Sequence, residues 1–284
     1  MPDAHAPSPS TAADRSGLRR LAVIAVGLLL CASPSMSQVV PGHGGPGQGG
    51  PDWGEASSAR EAFLSANPGV HFYTLPGERI GRGYGKVFST GASPVASAER
   101  FRLDHAEIFG IPADELVLEG PFADKRAVQP IMWDEDRGDF RFFGVYYTQK
   151  VAGVPVHTGV LKLLVRNEPG FPLVLAAADI RPVDDAVRIA AAAAPPPRDL
   201  DPEQFAMFAL DQFRAQPEIT GVESVVFAGT DGELAEPRLA VRFEAEGGSV
   251  FQPQDYRKFL YVTDAATGRI LHQESLILHN DIPG

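Results

Sequence analysis

The side chains best able to do chemistry in this sequence are its histidines, because imidazoles bind zinc and transfer protons near neutral pH. None of them forms the His-Glu-x-x-His pattern, which places two imidazoles on one face of a helix with a glutamate base between them. His272 and His279 lie in a strand pattern, where their odd separation points the two side chains to opposite faces. The sequence therefore predicts no metal site. The histidines are His5, His43, His71, His105, His157, His272 and His279.

Other kinds of catalytic site lack support as well. The single cysteine, Cys31, lies in a segment that we expect to be removed, and no serine stands in a Gly-x-Ser-x-Gly turn. Residues 81–85, Gly-Arg-Gly-Tyr-Gly, lack the lysine of a phosphate-binding loop, so we interpret them as a mobile loop. Residues 134–136, Asp-Glu-Asp, lack the spacing of a calcium loop and are interpreted as a solvated turn. We expect a non-catalytic protein without a cofactor, with an acid/base pair of carboxylates left open.

The N-terminus has the pattern of an export signal. Arginines precede an uninterrupted apolar stretch at 21–32, which is too short to cross a bilayer. Small residues at Ser35 and Ser37 predict cleavage after Ser37. We therefore expect a signal peptide at 1–37, no membrane span in the mature protein, and a secreted, extracellular or periplasmic location.

The same segment limits the partners of the mature protein. Leu30 precedes Cys31, where a lipoprotein signal has a small residue, so we do not expect a lipid anchor. The segment carries three Arg and two Asp, so its removal makes the formal net charge of −11 one unit more negative. A field of that sign repels phosphates, and we expect neither nucleic acid nor an anionic membrane as a partner.

Two stretches rich in Gly, Pro or Ala divide the mature chain. Residues 38–54 predict a flexible linker. Residues 188–198 contain five alanines followed by three prolines, which end a helix and favour an extended spacer. The folded parts are therefore predicted at 55–187 and 199–278, followed by a tail at 279–284.

The first folded part begins with a helix. Ser93 is a predicted N-cap, Pro94 suits the first helical position, and Gly110 is a predicted end. Apolar residues at helical spacing give this helix one buried face, and we expect His105 to pack on that face.

Strands follow this helix. Residues 140–151 and 154–166 have strand composition, and Ala152 and Gly153 between them predict a tight two-residue turn. A further strand is predicted at 173–180.

The second folded part repeats this order. Asp201 and Pro202 predict the start of a helix that ends near Ala215. Its strands are predicted at 222–228, 238–246, 259–263 and 269–278. Short links leave no room for crossover helices, so we expect an α+β fold of two tandem units, each a helix packed on a curved antiparallel sheet.

Two stretches resemble known modules. Residues 146–165, YYTQKVAGVPVHTGVLKLLV, resemble the core of the fungalysin/thermolysin propeptide (FTP) motif, and HAEIFGI at 105–111 is similar to the run that precedes this core. Residues 238–278, with the Asp-Ala-x-Thr-Gly hairpin DAATG, resemble the PepSY-type second half of such propeptides. Together the similarity covers about residues 84–278. It implies cystatin-like or PepSY-like units, an FTP-like domain first and a PepSY-like domain second.

The resemblance implies a module that binds a secreted zinc metallopeptidase domain, in cis or in trans, assists its folding and blocks its cleft. The zinc site of that family has no matching positions here, so no catalytic or metal-ligating residue is carried over. Exposed hairpins and strand edges can bind an extended partner through backbone hydrogen bonds. The candidate binding residues are those of the hairpin, with a purely structural turn as the alternative: Gly153, Val154, Pro155, Val156 and His157.

Two functions stay open at this point. One is a propeptide-like module of a zinc metallopeptidase, either free-standing or the front part of a longer precursor. The other is an extracellular or envelope interaction protein that uses the same fold to bind a partner other than a protease.

Overall fold

The structure, a computed structural model, describes residues 53–196, 199–230, 233–248 and 255–277. All of these residues belong to one unit that spans Gln48–Gly284. The predicted signal peptide, Cys31, the predicted tail and nearly all of the Gly/Pro-rich linker lie outside the described residues, and those predictions stay predictions.

The described part is a sheet-rich α+β arrangement in which runs of strands follow the helices. The helices are α1 (Trp53–Ala66), α2 (Pro94–His105), α3 (Asp185–Ala192) and α4 (Glu203–Ala209). The strands are β1 (His71–Leu75), β2 (Arg79–Ser89), β3 (Leu116–Leu118), β4 (Val128–Asp134), β5 (Asp139–Val151), β6 (Val154–Arg166), β7 (Leu173–Asp179), β8 (Glu218–Phe227), β9 (Arg238–Gly247), β10 (Arg257–Asp264) and β11 (Ile270–Ser275). None of the described helices has the length and apolarity needed to span a bilayer.

Helix α2 begins where the sequence predicts. The Ser93 hydroxyl accepts a hydrogen bond from the backbone N–H of Ala96 at 3.1 Å, and Pro94 occupies the first turn. A short 3-10 turn continues the helix to Gly110, whose φ of 76° is left-handed and ends it. Local capping therefore fixes the two ends of α2.

Helices α1 and α2 pack together on one face of the N-terminal strands. His105 lies between the rings of Phe63 and Phe101, with centroids at 4.8 and 5.3 Å. This packing confirms the prediction for His105, and burial lowers the pKa of its imidazole. The strands beneath the helices contribute their alternate residues to the same core, among them Val145, Tyr147, Leu161, Leu163 and Val165.

The hairpin of β5 and β6 confirms the central strand prediction. Ala152 and Gly153 form its turn with φ of 50° and 84°. Val151 pairs with Val154 directly beside the turn, and the pairing continues to Phe142 and Arg166. Such doubly left-handed turns match the twist of the strands that they connect.

The prediction of a mobile loop at residues 81–85 is wrong, because these residues lie inside β2 and pair with β1 and β7. A Cβ atom at Gly81 would lie 2.8 Å from the Leu75 side chain, and one at Gly83 would lie 2.9 Å from the Phe72 ring. The glycines therefore make room for large side chains of β1. The conformation of β2 at these glycines therefore depends on side chains of the neighbouring strand β1.

The second half also has a helix on strands. Helix α4 and the 3-10 turn Leu210–Gln212 are shorter than the helix predicted to reach Ala215. Phe205 packs on Phe243 with ring centroids 5.4 Å apart. The DAATG turn is closed by Asp264, whose Oδ1 accepts the backbone N–H groups of Ala266 and Thr267 at 3.0 and 2.8 Å.

The α+β expectation is confirmed as a mixed fold on an open curved sheet, but the tandem arrangement of two helix-on-sheet units is not. Strand β6 pairs with β5 and β7 of the first half and, in parallel, with β8 of the second half at Val156 and Val226. Helix α3 runs through alanines of the expected spacer and buries Val187 and Ala191. The two halves therefore share a core at this junction.

A fully buried guanidinium connects the halves. The Arg181 Nη1 donates to the carbonyl oxygens of Ala228 and Glu233 at 3.2 and 2.6 Å. Its Nε donates to the Thr158 hydroxyl at 3.1 Å, and its Nη2 pairs with Asp179 at 2.9 Å. Because these partners come from both halves, Arg181 holds the loop after β8 against the end of β7.

The glutamine of the FTP-like motif belongs to the same network. Gln149 is fully buried, and its Oε1 accepts the backbone N–H of Arg181 at 2.9 Å while its Nε2 donates to the carbonyl of Arg181 at 2.7 Å. Glu115, also buried, forms an ion pair with Arg188 of α3. The motif glutamine thus has a structural role in holding the chain between β7 and α3.

We expect Arg181→Met to lower the free energy of unfolding by about 3 kcal/mol, because it leaves two carbonyls and part of the Asp179 carboxylate without a buried partner. Urea denaturation followed by circular dichroism measures this loss. Arg126→Met is the control, since the Arg126 side chain is 61% exposed and its ion pair contributes about 0.5 kcal/mol or less. Equal losses in the two variants would contradict the role given to Arg181.

Candidate partner-binding surface

The predicted binding residues at the β5–β6 turn differ in their exposure. Gly153 is exposed at the tip, and Val154 and Pro155 are half-buried. Val156 and His157 have relative exposures of 2% and 5%. These two side chains are therefore covered in this arrangement, and the binding role of the five hairpin residues stays a prediction.

The chain's own second half covers these two residues. Val156 packs in a cluster with Val151, Val187 and Val226, where β6 meets β8 and α3. His157 faces the rings of Phe227 and His272. The Val-Pro-Val part of the motif therefore fills the junction between the two halves.

A different surface of the N-terminal strands is open. Helices α1 and α2 pack on one side of the sheet, and alternate residues point to the other side. The strand register joins His71, Tyr84, Leu175, Leu164 and Gly144 in one row across five strands. Because residues directly opposite each other share a face, this row lies on one surface.

A second row runs beside the first. It joins Tyr73, Arg82, Ala177, Lys162 and Tyr146 across the same strands. Tyr73 is 60% exposed, and Arg82 and Lys162 are exposed as well. We call the surface formed by the residues of these two rows the open face.

The charge of the open face is opposite to that of the whole chain. Arg82 and Lys162 supply its full charges, and neither forms an ion pair with a carboxylate of the described residues. Tyr73 and Tyr84 lie beside these cations, and the His71 and Tyr84 rings are 5.7 Å apart. The open face therefore combines aromatic contact area with positive charge on a chain of net charge −11.

The border of this surface is an edge strand. Strand β4 pairs only with β5, and Trp133 on it is 55% exposed with its ring 5.1 Å from that of Phe140. Met132 has a left-handed φ of 61° and is 54% exposed, and it lies between the paired residues Ile131 and Trp133 without a change of register. Two large apolar side chains of this edge strand are therefore exposed beside the open face.

The acidic run at residues 134–136 is organised by hydrogen bonds to Asp134. Asp134 accepts a bond from Arg141 at 2.8 Å and backbone N–H bonds from Asp136 and Arg137, and the Arg141 bond lowers the pKa of its carboxyl. The predicted turn at 134–136 is thus present and is organised by Asp134. Within the four described ranges, no group of three or more His, Cys, Asp or Glu side chains is placed to hold a metal ion.

A groove of about 610 Å³ lies beside α4. Its walls are mainly apolar and include Phe205, Met207 and Phe208. The one carboxylate that lines it, Asp264, accepts the N–H groups of its own turn and a bond from Arg238 at 3.4 Å. This groove is therefore an apolar surface beside the DAATG turn.

Neither protein-family models nor curated proteins match the chain. Among solved structures, it is similar to the Bacillus megaterium YpeB C-terminal domain. The alignment covers 78% of this chain and 96% of that chain, with 14% sequence identity and a TM-score of 0.31. Such a distant likeness says nothing about function, so the functional case rests on the residues described above.

The open face was missed at the level of sequence. Tyr73, Arg82 and Tyr84 carry the strand alternation that would have marked it, but the interpretation of residues 81–85 as a loop removed that signal. Trp133 and Met132 are exposed on an edge strand, which the composition of that strand does not predict. The hairpin motif was recognised, and Val156 and His157 of it are buried.

We expect Gly153→Val to lower the free energy of unfolding by about 1–2 kcal/mol, because a β-branched residue is strained in the left-handed region. A Cβ atom there would meet nothing within 4 Å, so backbone strain alone causes the loss. Ala152→Gly, next to it, should cause no loss of that size, because it removes a Cβ atom at a φ of 50°. Thermal melts of both variants measure the difference, and a neutral Gly153→Val would disprove the backbone argument.

Proposed function

We propose that this chain is a secreted, non-catalytic, propeptide-like module that binds a zinc metallopeptidase domain, assists its folding and inhibits it. The observation that carries this proposal is the open face, on which exposed aromatic rings lie beside two cations that have no ion pair among the described residues. The open face is bordered by the exposed Met132 and Trp133 of β4. The resemblance to FTP and PepSY modules supplies the class of partner.

The physical chemistry of the open face suits a folded protein partner. Aromatic rings and arginine are enriched at protein interfaces because they bury a large area and still offer polar contacts. The sheet holds Tyr73, Tyr84 and Arg82 in fixed positions, so little conformational entropy is lost when a partner docks. The positive charge of Arg82 and Lys162 favours a partner with an acidic surface.

The absence of a catalytic set from the sequence motifs agrees with a binding role. Gln149 of the FTP-like motif forms hydrogen bonds with Arg181 in the buried network. Val156 packs in the apolar cluster between the two halves. These residues support the fold and leave the open face as the surface for recognition.

An interaction protein for a partner other than a protease is the second candidate. The open face itself favours any acidic protein surface, and its residues do not select a peptidase. The binding experiment therefore has to separate the two functions.

We expect the purified mature protein to inhibit a secreted thermolysin-type metalloendopeptidase of the same organism at micromolar concentration or below. Initial rates with an internally quenched peptide substrate give the inhibition constant. The double variant Arg82→Glu/Lys162→Glu should raise that constant about tenfold, because two attractive charges become repulsive at the interface.

Arg100→Glu/Arg269→Glu is the matched control, because it makes the same change of net charge at exposed positions outside the open face. The control should change the inhibition constant less than twofold. Equal effects of the two double variants would place the contact elsewhere. No inhibition by the wild-type protein at micromolar concentration would favour the partner other than a protease.

A further inference from the structure

His157 is a buried side chain whose ring nitrogens find no partner among the described residues. It lies on β6 with 5% exposure, and within that part of the chain neither Nδ1 nor Nε2 forms a hydrogen bond. Buried polar groups are nearly always hydrogen-bonded, so an imidazole without any partner calls for an explanation. The open face does not include it.

The immediate surroundings of His157 are aromatic. The Phe227 ring of β8 is stacked on the imidazole at a centroid distance of 6.0 Å. The His272 ring of β11 lies 5.6 Å away. His157 therefore connects the hairpin strand of the first half with the last strand of the second half.

The charged groups around His157 are mainly cationic. Arg242 of β9, which is ion-paired with Glu223 of β8, and the buried Arg181 both act on the imidazole through their positive charge. On β11, Glu274 has a carboxylate oxygen 3.8 Å from the His272 Nε2, so this acidic group faces His272.

Protonation of His157 in the closed junction is therefore costly. Burial, together with the charges of His272, Arg242 and Arg181, lowers the pKa of His157 from 6.5 to about 3. An imidazolium there would be desolvated and without an acceptor.

We propose that His157 is an acid-sensitive latch that closes the second half of the protein over the Val154–Pro155–Val156 segment of the hairpin. The latch joins β6 to β11, and Val156 is covered by the same junction. Opening would expose the hairpin residues predicted to contact a partner. This role as a regulator of binding rests on the proposed function, whereas the opening itself does not.

The direction of the pH effect follows from the two states. In the open state, His157 is solvated and titrates near its ordinary pKa of 6.5, whereas in the closed state it stays neutral down to about pH 3. Closure is therefore fully favoured above pH 6.5 and weakens as the pH falls from 6.5 toward 3. The opening equilibrium constant should rise about thirtyfold from pH 7.5 to pH 5, because each pH unit below 6.5 changes it about tenfold.

Hydrogen exchange measured by mass spectrometry at pH 7.5 and pH 5 tests this latch on the full mature chain without a partner. Protection factors, which correct for the intrinsic exchange rate, should fall about thirtyfold at acid pH in peptides that cover β6 residues 154–158 and β11. Peptides from α2 should keep their protection. In His157→Phe, which keeps an aromatic ring against Phe227 but cannot titrate, β6 and β11 should stay protected at both pH values.

His157→Gln provides the same comparison if the Phe variant does not fold, because glutamine also lacks a titrating group. An unchanged protection of β6 and β11 in the wild-type protein would overturn the latch. So would an equal acid response in the His157 variants, or an equal loss in α2, which would mean global unfolding. Since no peptidase is present, this experiment can fail while the inhibition experiment succeeds, and the reverse.

Discussion

The guanidinium of Arg181 lies where the two halves of the chain meet, and the arrangement of the halves depends on the hydrogen bonds that this group donates. Burying this charge is favourable only when its N–H groups find acceptors. The acceptors are Asp179, the Thr158 hydroxyl and the carbonyls of Ala228 and Glu233, which come from three separate segments. Arg181 therefore fixes how β8 approaches β6, and with it the cover over the hairpin.

This constraint places the motif residues in the interior, apart from the exposed residues of the open face. Gln149 and Val156 are the most recognisable letters of the FTP-like core, yet both lie in the interior that Arg181 organises. The most recognisable residues of this sequence thus lie at a junction inside the fold. Tyr73 and Arg82, which belong to no recognised motif, are exposed instead and are the positions that the proposed function uses.

The features that could be predicted from the sequence are those that depend on residues close together in the chain. The Ser93 cap and the turns closed by Gly153 and Asp264 depend on neighbouring residues, and all three are present. The conformation of β2 depends instead on side chains of β1 that enter the space left by Gly81. The parallel pairing of β6 with β8 likewise joins residues far apart in sequence, such as Val156 and Val226, which periodicity within one strand cannot indicate.

The edges of the sheet make docking on the open face more favourable than strand addition. A partner strand needs a continuous run of free N–H and C=O groups along an edge. On β4 that run is interrupted, because Pro130 has no N–H and Met132 departs from strand geometry with a left-handed φ of 61°. Strands β1 and β11, at the two ends of the sheet path, are only 5 and 6 residues long. Contacts with the cations and rings of the open face do not need a continuous strand edge. We therefore expect these side-chain contacts to supply most of the affinity.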